Sequence, residues 1–205
     1  MKNLKLGSVI ALVACFLFWA GAAGADLYNN LASPVSGSDS ISIFGPLYDS
    51  FSTGAGGFSL ADVKVLISAN PSTGSISVGL YSDSSTSPGG LLTTIGTRTD
   101  NTLPSSLSVV DFPLGSPYSL GASERYWLGI ASTDGSTAVW AWALDQTALG
   151  VAGEYFAAGK SVYPNNFTGP YQMALSSTAV PLPGALLLLG PALAGLAAIR
   201  RRFKK

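Results

Sequence analysis

Before residue 184 no stretch of this chain holds a convincing helical period; what recurs instead is alternation. Val63, Val65 and Ile67 alternate with Lys64, Leu66 and Ser68, and Ile76, Val78 and Leu80 alternate with Ser77, Gly79 and Tyr81. Successive side chains on a strand point to opposite faces, so a period of two sends one set into a core and the other outward. The series continues through Leu91 to Thr97, Leu107 to Leu114, Tyr126 to Ser132, Thr137 to Leu144 and Tyr171 to Ser177. Turn-rich stretches such as SDSSTSPGG, residues 82–90, separate the runs. Many short strands divided by Gly, Pro, Asn and Ser predict an all-β domain, an antiparallel β-sandwich. No blade-length repeat is visible, which favours a jelly-roll-like arrangement over a propeller.

The two ends stand apart from that pattern and are read separately. Residues 1–25, MKNLKLGSVIALVACFLFWAGAAGA, carry Lys2 and Lys5, an apolar stretch from Leu6 to Ala20, and the small-x-small pattern Ala23-Gly24-Ala25. That order predicts a signal peptide with an apolar helix, cut by signal peptidase after Ala25 to leave Asp26 first. Leu12-Val13-Ala14-Cys15 has the outline of a lipobox. However, Phe16 to Ala20 stay apolar where a lipoprotein turns polar, and a cut before Cys15 leaves a very short leader. Cys15 is the only cysteine, so the exported protein has no disulfide and no thiol, and its fold rests on its core.

At the other end, five of the eleven basic residues occupy the last six positions. Gly184 to Ile199 is apolar. As a transmembrane helix it spans about 24 Å at ~1.5 Å per residue, short of the roughly 30 Å hydrocarbon core of a bilayer. Pro191 kinks it. Arg200, Arg201 and Arg202 hold the end in the cytoplasm as a stop-transfer signal, so the body lies outside. A permanent anchor and a sorting tail both fit these features; the short, kinked helix suits temporary residence better.

Val180-Pro181-Leu182-Pro183, the apolar helix and Arg200-Arg201-Arg202 resemble the PEP-CTERM sorting signals of Gram-negative bacteria, in the variant that begins with VPLPA. Gly184 stands where that variant usually has alanine. The resemblance implies export across the inner membrane, transient anchoring by the tail, and cutting near the proline motif by a transpeptidase-like membrane enzyme, an exosortase. The body then reaches the cell surface or an extracellular matrix rich in exopolysaccharide, as in a biofilm. Tyr28-Asn29-Asn30-Leu31, Phe58-Ser59-Leu60, Val78-Gly79-Leu80-Tyr81-Ser82-Asp83, Ser87-Pro88-Gly89 and Arg125-Tyr126-Trp127-Leu128-Gly129-Ile130 are in turn similar to the choice-of-anchor R domain. That bacterial surface domain occurs with different anchoring tails. The resemblance implies a location for residues 26–179 and attaches no activity to them.

Setting the ends aside changes the charge. Residues 26–179 contain four basic residues, Lys64, Arg98, Arg125 and Lys160, against all eleven acidic ones, a net charge of −7. Such a body repels nucleic acid and anionic surfaces. The chain has no histidine, which removes Ser-His-Asp and Cys-His catalysis and the common zinc sites. Neither Lys64 nor Lys160 sits in an S-x-x-K context. Glu124 and Glu154 are the only glutamates that could pair for glycoside hydrolysis, with Asp134 and Asp145 as further carboxylates, but no spacing favours a pair. Asp83 and its neighbouring hydroxyls offer hard oxygens for calcium, without an Asp-x-Asp-x-Asp pattern. No enzyme, metal or cofactor is therefore expected; a secreted glycoside hydrolase is the reading left to the carboxylates.

The aromatic residues leave more open. Trp140 and Trp142 lie two apart and share one face of a strand. Exposed, they form a flat platform for sugar rings and make the body a carbohydrate-binding module. Buried, they fill the sandwich, which their large area and the scarcity of other large apolar residues favour. Trp127 points away from Tyr126 and Leu128, so one face of its strand is partly exposed or covered by a loop. Gly153-Glu154-Tyr155-Phe156 and Tyr163-Pro164-Asn165-Asn166-Phe167 read as loops that line a ligand groove or cover a sheet edge.

Overall fold

The computed structural model describes residues 24–165 and 169–177. All of them except Gly24 belong to one unit, Ala25–Thr178. In chain order its elements are β1 (Asp26–Asn29), β2 (Val35–Ser40), the single turn of helix α1 (Ile41–Phe44), β3 (Leu47–Ser52), β4 (Phe58–Ser68), β5 (Ser75–Asp83) and β6 (Pro88–Thr99). A 3₁₀ turn (Asp100–Thr102) leads to β7 (Ser108–Leu120), β8 (Arg125–Thr133), β9 (Val139–Ala143), β10 (Tyr155–Ala158), β11 (Ser161–Pro164) and β12 (Met173–Ser177).

The strands form two antiparallel sheets. The first runs β1-β12-β4-β9-β2, with β7 along the other side of β4; the second runs β11-β10-β3-β8-β5-β6. Val63, Val65 and Ile67 of β4, Ile76, Val78 and Leu80 of β5, and Leu128 and Ile130 of β8 are fully buried in one core cluster drawn from both sheets. The protein is thus an all-β sandwich. Each such side chain contributes about 1.5–3 kcal/mol by leaving water.

The alternating runs are strands, and the structure adds β1, β2, β3 and the β10–β11 hairpin. β2 reads VSGSDS and is an edge strand with no apolar alternation to mark it. The two segments expected as loops pair instead as a hairpin, Tyr155 opposite Pro164 and Ala158 opposite Ser161. The expected leader helix and tail helix fall outside the described residues. Among the described residues no helix is long and apolar enough to cross a membrane.

The long strands β6 and β7 are hydrogen-bonded along one side only. A bare edge invites pairing with another chain. β7 carries Pro113 and Pro117, which remove donors, and the register of β6 against β5 shifts three times, which bends the edge. The Arg98 guanidinium lies 5.5 Å above the Phe112 ring and closes the space between the two strands.

The chain enters and leaves the sandwich at one place. Asp26 of β1 lies opposite Ser176 of β12. Just before it, Ala25 accepts a hydrogen bond from the Ser177 amide at 3.0 Å and its own amide donates to Ser177 Oγ at 3.1 Å. Asn30 fastens the end of β1: its Nδ2 donates to the Tyr171 carbonyl, and its Oδ1 accepts from the Met173 amide.

Asp100 fastens the opposite loops. Its carboxylate accepts from Ser136 Oγ (2.6 Å), Ser72 Oγ (2.6 Å), and the amide (2.7 Å) and hydroxyl (3.0 Å) of Thr137. Burial pushes this carboxyl up, but the four hydrogen bonds outweigh burial and hold it below its usual value. A carboxyl lowered on folding stabilises the protein above its unfolded pKa of about 3.9, and that contribution is lost as pH falls through the folded value. Asp100→Ala should therefore cost about 2–3 kcal/mol at neutral pH. Urea titrations at neutral pH and at pH ~3 should show the gap between variant and parent narrowing in acid.

Candidate functional site

Trp140 has no exposed surface. Its ring stacks on Tyr171 with centroids 4.7 Å apart and an interplanar angle of 17°, and its indole N–H donates to the Gln172 carbonyl at 3.0 Å. Trp142 is half-buried, packs against the core and lies across Gly37 of β2 so closely that a side chain there would collide with the indole. The exposed tryptophan platform is therefore corrected. Trp140 and Trp142 do share a face, but β9 lies between β4 and β2, and that face turns into the sandwich, where large side chains are needed to fill it.

The outward aromatics lie on the second sheet. Along β8, Tyr126, Leu128 and Ile130 enter the core, while Arg125, Trp127 and Gly129 point the other way. Strand register sets them in rows. In one row Ser50 of β3, Trp127 of β8, Tyr81 of β5 and Leu91 of β6 are neighbours, and Tyr155 of β10 donates its amide to Ser50 Oγ at 2.8 Å. In the next row Tyr48, Gly129 and Gly79 are neighbours. Although Trp127 points outward it has no exposed surface; its indole N–H donates to Asp83 Oδ1 at 2.8 Å.

Tyr48 and Tyr81 meet edge to face, 5.1 Å between centroids and 85° between planes. Both rings lie over Gly129, where an added Cβ would come within 2.5 Å of Tyr48 and 2.6 Å of Tyr81. Only glycine lets both rings settle against the backbone. Burial, and then the neighbouring Tyr81, push the Tyr48 hydroxyl up to about 12. Both rings nonetheless remain partly exposed, and Leu91 at the end of the row is 55% exposed.

At the other end of the row is an ion pair. The Glu154 side chain is 4% exposed. It accepts from Ser50 Oγ at 2.5 Å, from Ser52 Oγ, and from Arg125 Nε at 2.9 Å. Arg125 Nη2 also donates to the Gly153 carbonyl, and its guanidinium lies 4.9 Å over the Tyr155 ring. Beside this pair opens a recess of about 200 Å³ lined by Gln146, Gly153, Glu154, Tyr155, Pro164 and Asn165. The described parts of the two segments read above as loops thus come together, as a hairpin and its approach; Asn166 and Phe167 lie outside the described residues.

Behind the recess, Asn165 Nδ2 donates to Asp49 Oδ1 (3.3 Å) and the Tyr171 amide to Asp49 Oδ2 (2.5 Å). Asp49 is fully buried. Burial pushes its carboxyl well above the usual range and the Glu154 charge adds to this, against the hydrogen bonds from Asn165 and Tyr171. Asn165 Oδ1 and the Tyr28 hydroxyl are buried and have no hydrogen-bond partner among the described residues.

The other candidate carboxylates are engaged locally. Glu124 accepts from the Tyr126 hydroxyl, which in turn accepts from the Gly121 amide. Asp134 sits exposed in a turn at φ 58°. Asp145 accepts from Ser33 Oγ and from the amide and hydroxyl of Thr147. Asp83, weighed above as an oxygen ligand for calcium, uses Oδ1 for Trp127 and Oδ2 for the Thr86 amide, so it anchors a turn. Among the described residues no group of three or more His, Cys, Asp or Glu is placed to hold a metal. Ala25, the expected leader cleavage position, is exposed at the start of β1. The sorting motif Val180, Pro181, Leu182, Pro183 and the basic end Arg200, Arg201, Arg202 lie outside the described residues.

Sequence reasoning missed Tyr48, Asp49 and Arg125. The signal was present in LYDSFS: if Leu47 and Phe51 face inward, so does Asp49, and Tyr48 and Ser50 face out with Trp127. No family model and no curated protein matches the chain.

Proposed function

We propose that the chain is an exported, non-catalytic surface or extracellular-matrix protein, processed at its C-terminus by an exosortase and associated with exopolysaccharide. The observation that carries this reading is the order of the tail: Val180-Pro181-Leu182-Pro183, a short apolar run interrupted by Pro191, then Arg200 to Arg202. The leader directs the chain to signal peptidase, and the tail holds it in the membrane until the exosortase acts. The body supports the reading in two ways. Its net charge of −7 suits a soluble outer protein, and its first and last strands lie side by side, Asp26 opposite Ser176, so both cuts fall at one edge of the sandwich and not within it. The hydrolase alternative draws little support from Glu154, whose oxygens are already taken by Ser50, Ser52 and Arg125. We also read the sandwich as a jelly roll. The order β2-β9-β4-β7 against β3-β8-β5-β6 supports that reading, with β1, β12 and the β10–β11 hairpin added outside it.

The test is mass spectrometry of surface material from the native host. The mature protein should start at Asp26 and end near Val180–Gly184. Changing Pro181 and Pro183 to alanine should leave membrane orientation intact and abolish cutting. Changing Arg200, Arg201 and Arg202 to serine should let some uncut precursor slip through the membrane. An intact C-terminus through Lys205 on the mature surface protein would leave the plain membrane anchor as the correct reading.

A further inference from the structure

We infer that the outer face of the second sheet, together with the recess at Tyr155, binds an oligosaccharide without net charge. The inference rests on the matrix reading only for its choice of ligand class; the geometry stands by itself. Tyr155 and Tyr81, both partly exposed, lie in one row that crosses from β10 over β3 and β8 to β5, with the buried Trp127 between them as a fixed spacer. Three strand spacings make the row about 14 Å long, enough for several sugar units and too long for one. Tyr48 adds a ring beside it.

The rings are suited to sugars in two respects. The face of an aromatic ring is electron-rich and attracts the polarised C–H groups on the apolar side of a pyranose. The rings are also held in place before any ligand arrives. Gly129 is the floor under Tyr48 and Tyr81, Trp127 is locked to Asp83, and the Arg125 guanidinium covers one side of Tyr155. Little side-chain entropy is then lost on binding.

The recess supplies the polar part. Its volume of about 200 Å³ is below that of a drug-sized pocket and fits a single sugar ring at the end of a chain. Gln146 and Asn165 line it with planar amide groups, the kind that bond two adjacent hydroxyls at once, Pro164 and Tyr155 give apolar walls, and Glu154, its oxygens held by Ser50, Ser52 and Arg125, closes one side. Among the described residues the Asn165 amide oxygen has no partner. An unsatisfied buried acceptor is costly, and a shift of this amide toward a ligand hydroxyl would satisfy it.

Charge selects the class. Arg125, the one basic side chain in these rows, is neutralised by Glu154. An acidic glycan meets a body of net charge −7 and, among the described residues of these rows, no unpaired cation, while an uncharged glycan meets no repulsion.

The experiment uses the full chain, purified in a zwitterionic detergent. It is applied to an array of uncharged and acidic oligosaccharides, and the strongest hit is then measured by calorimetry. The expected result is binding to uncharged oligosaccharides of several units and not to polyuronates. Tyr81→Ala and Gln146→Ala should each weaken the affinity at least tenfold, while Trp142→Ala, on the other sheet, should leave it unchanged. Gln146 lies in a loop outside the core, so its variant decides the matter if Tyr81→Ala fails to fold. No binding across the array, binding to acidic glycans alone, or an unchanged affinity in Gln146→Ala overturns the inference. None of these results bears on how the tail is processed, so this inference and the sorting reading can fail separately.

Discussion

Trp140→Ala should lower the unfolding free energy by about 3–5 kcal/mol, and the melting temperature by roughly 6–20 °C for a domain of this size. Three losses combine. The indole leaves a cavity between the sheets, the stacked contact with Tyr171 disappears, and the Gln172 carbonyl loses one of its two donors, keeping only the Leu66 amide. Trp142→Ala removes an equally large side chain from a half-buried position and should cost clearly less, because water can reach part of the space it leaves. Chemical denaturation of the two variants gives the order directly. If Trp142→Ala proves the more damaging, the assignment of the two faces of β9 is wrong.

Arg125→Met should cost about 2–4 kcal/mol, a range set below that of a fully buried pair because Arg125 keeps 24% of its side-chain surface. The loss comes less from the attraction itself than from what is left behind. Without the guanidinium, Glu154 remains a carboxylate almost cut off from water, served only by the hydroxyls of Ser50 and Ser52. The double variant Arg125→Met/Glu154→Gln should therefore be more stable than Arg125→Met alone, since the amide needs no counter-charge and can still bond both serines. Two effects that simply add would show that the pair is not coupled in this way.

The parts of the fold that were legible in the sequence are those where one face is apolar throughout. β4, β5 and β8 lie inside their sheets, and their inward residues are Val, Ile and Leu, with Tyr126 at the head of β8. β2 lies at an edge, pairs only with β9 and has no apolar face to announce it. β3 breaks the pattern for a different reason: Asp49 occupies an inward position, and a lone carboxylate in a short run reads as a surface residue. The pairing of Tyr155 with Pro164 depends on a turn at Gly159 with φ 60°, a backbone state that Gly-Lys alone does not announce. That Trp140 and Trp142 share a face follows from the period of two. Which side of the sheet that face meets depends on how the second sheet closes over it, a long-range fact that no local run of residues contains.

One feature of the first sheet bears on how such a protein withstands force. β12 ends at Ser177, is flanked by β1 and β4, and runs antiparallel to both. A body tethered through the chain that follows Ser177 and dragged by flow is pulled along the axis of β12. The inter-strand hydrogen bonds stand perpendicular to that axis, so the load is spread over both ladders as shear, and several bonds must give way together. A tether fixed to β2, which is paired on one side only, would peel bonds away one after another. Leaving the fold by an inner strand makes the attachment point one of its mechanically stronger places.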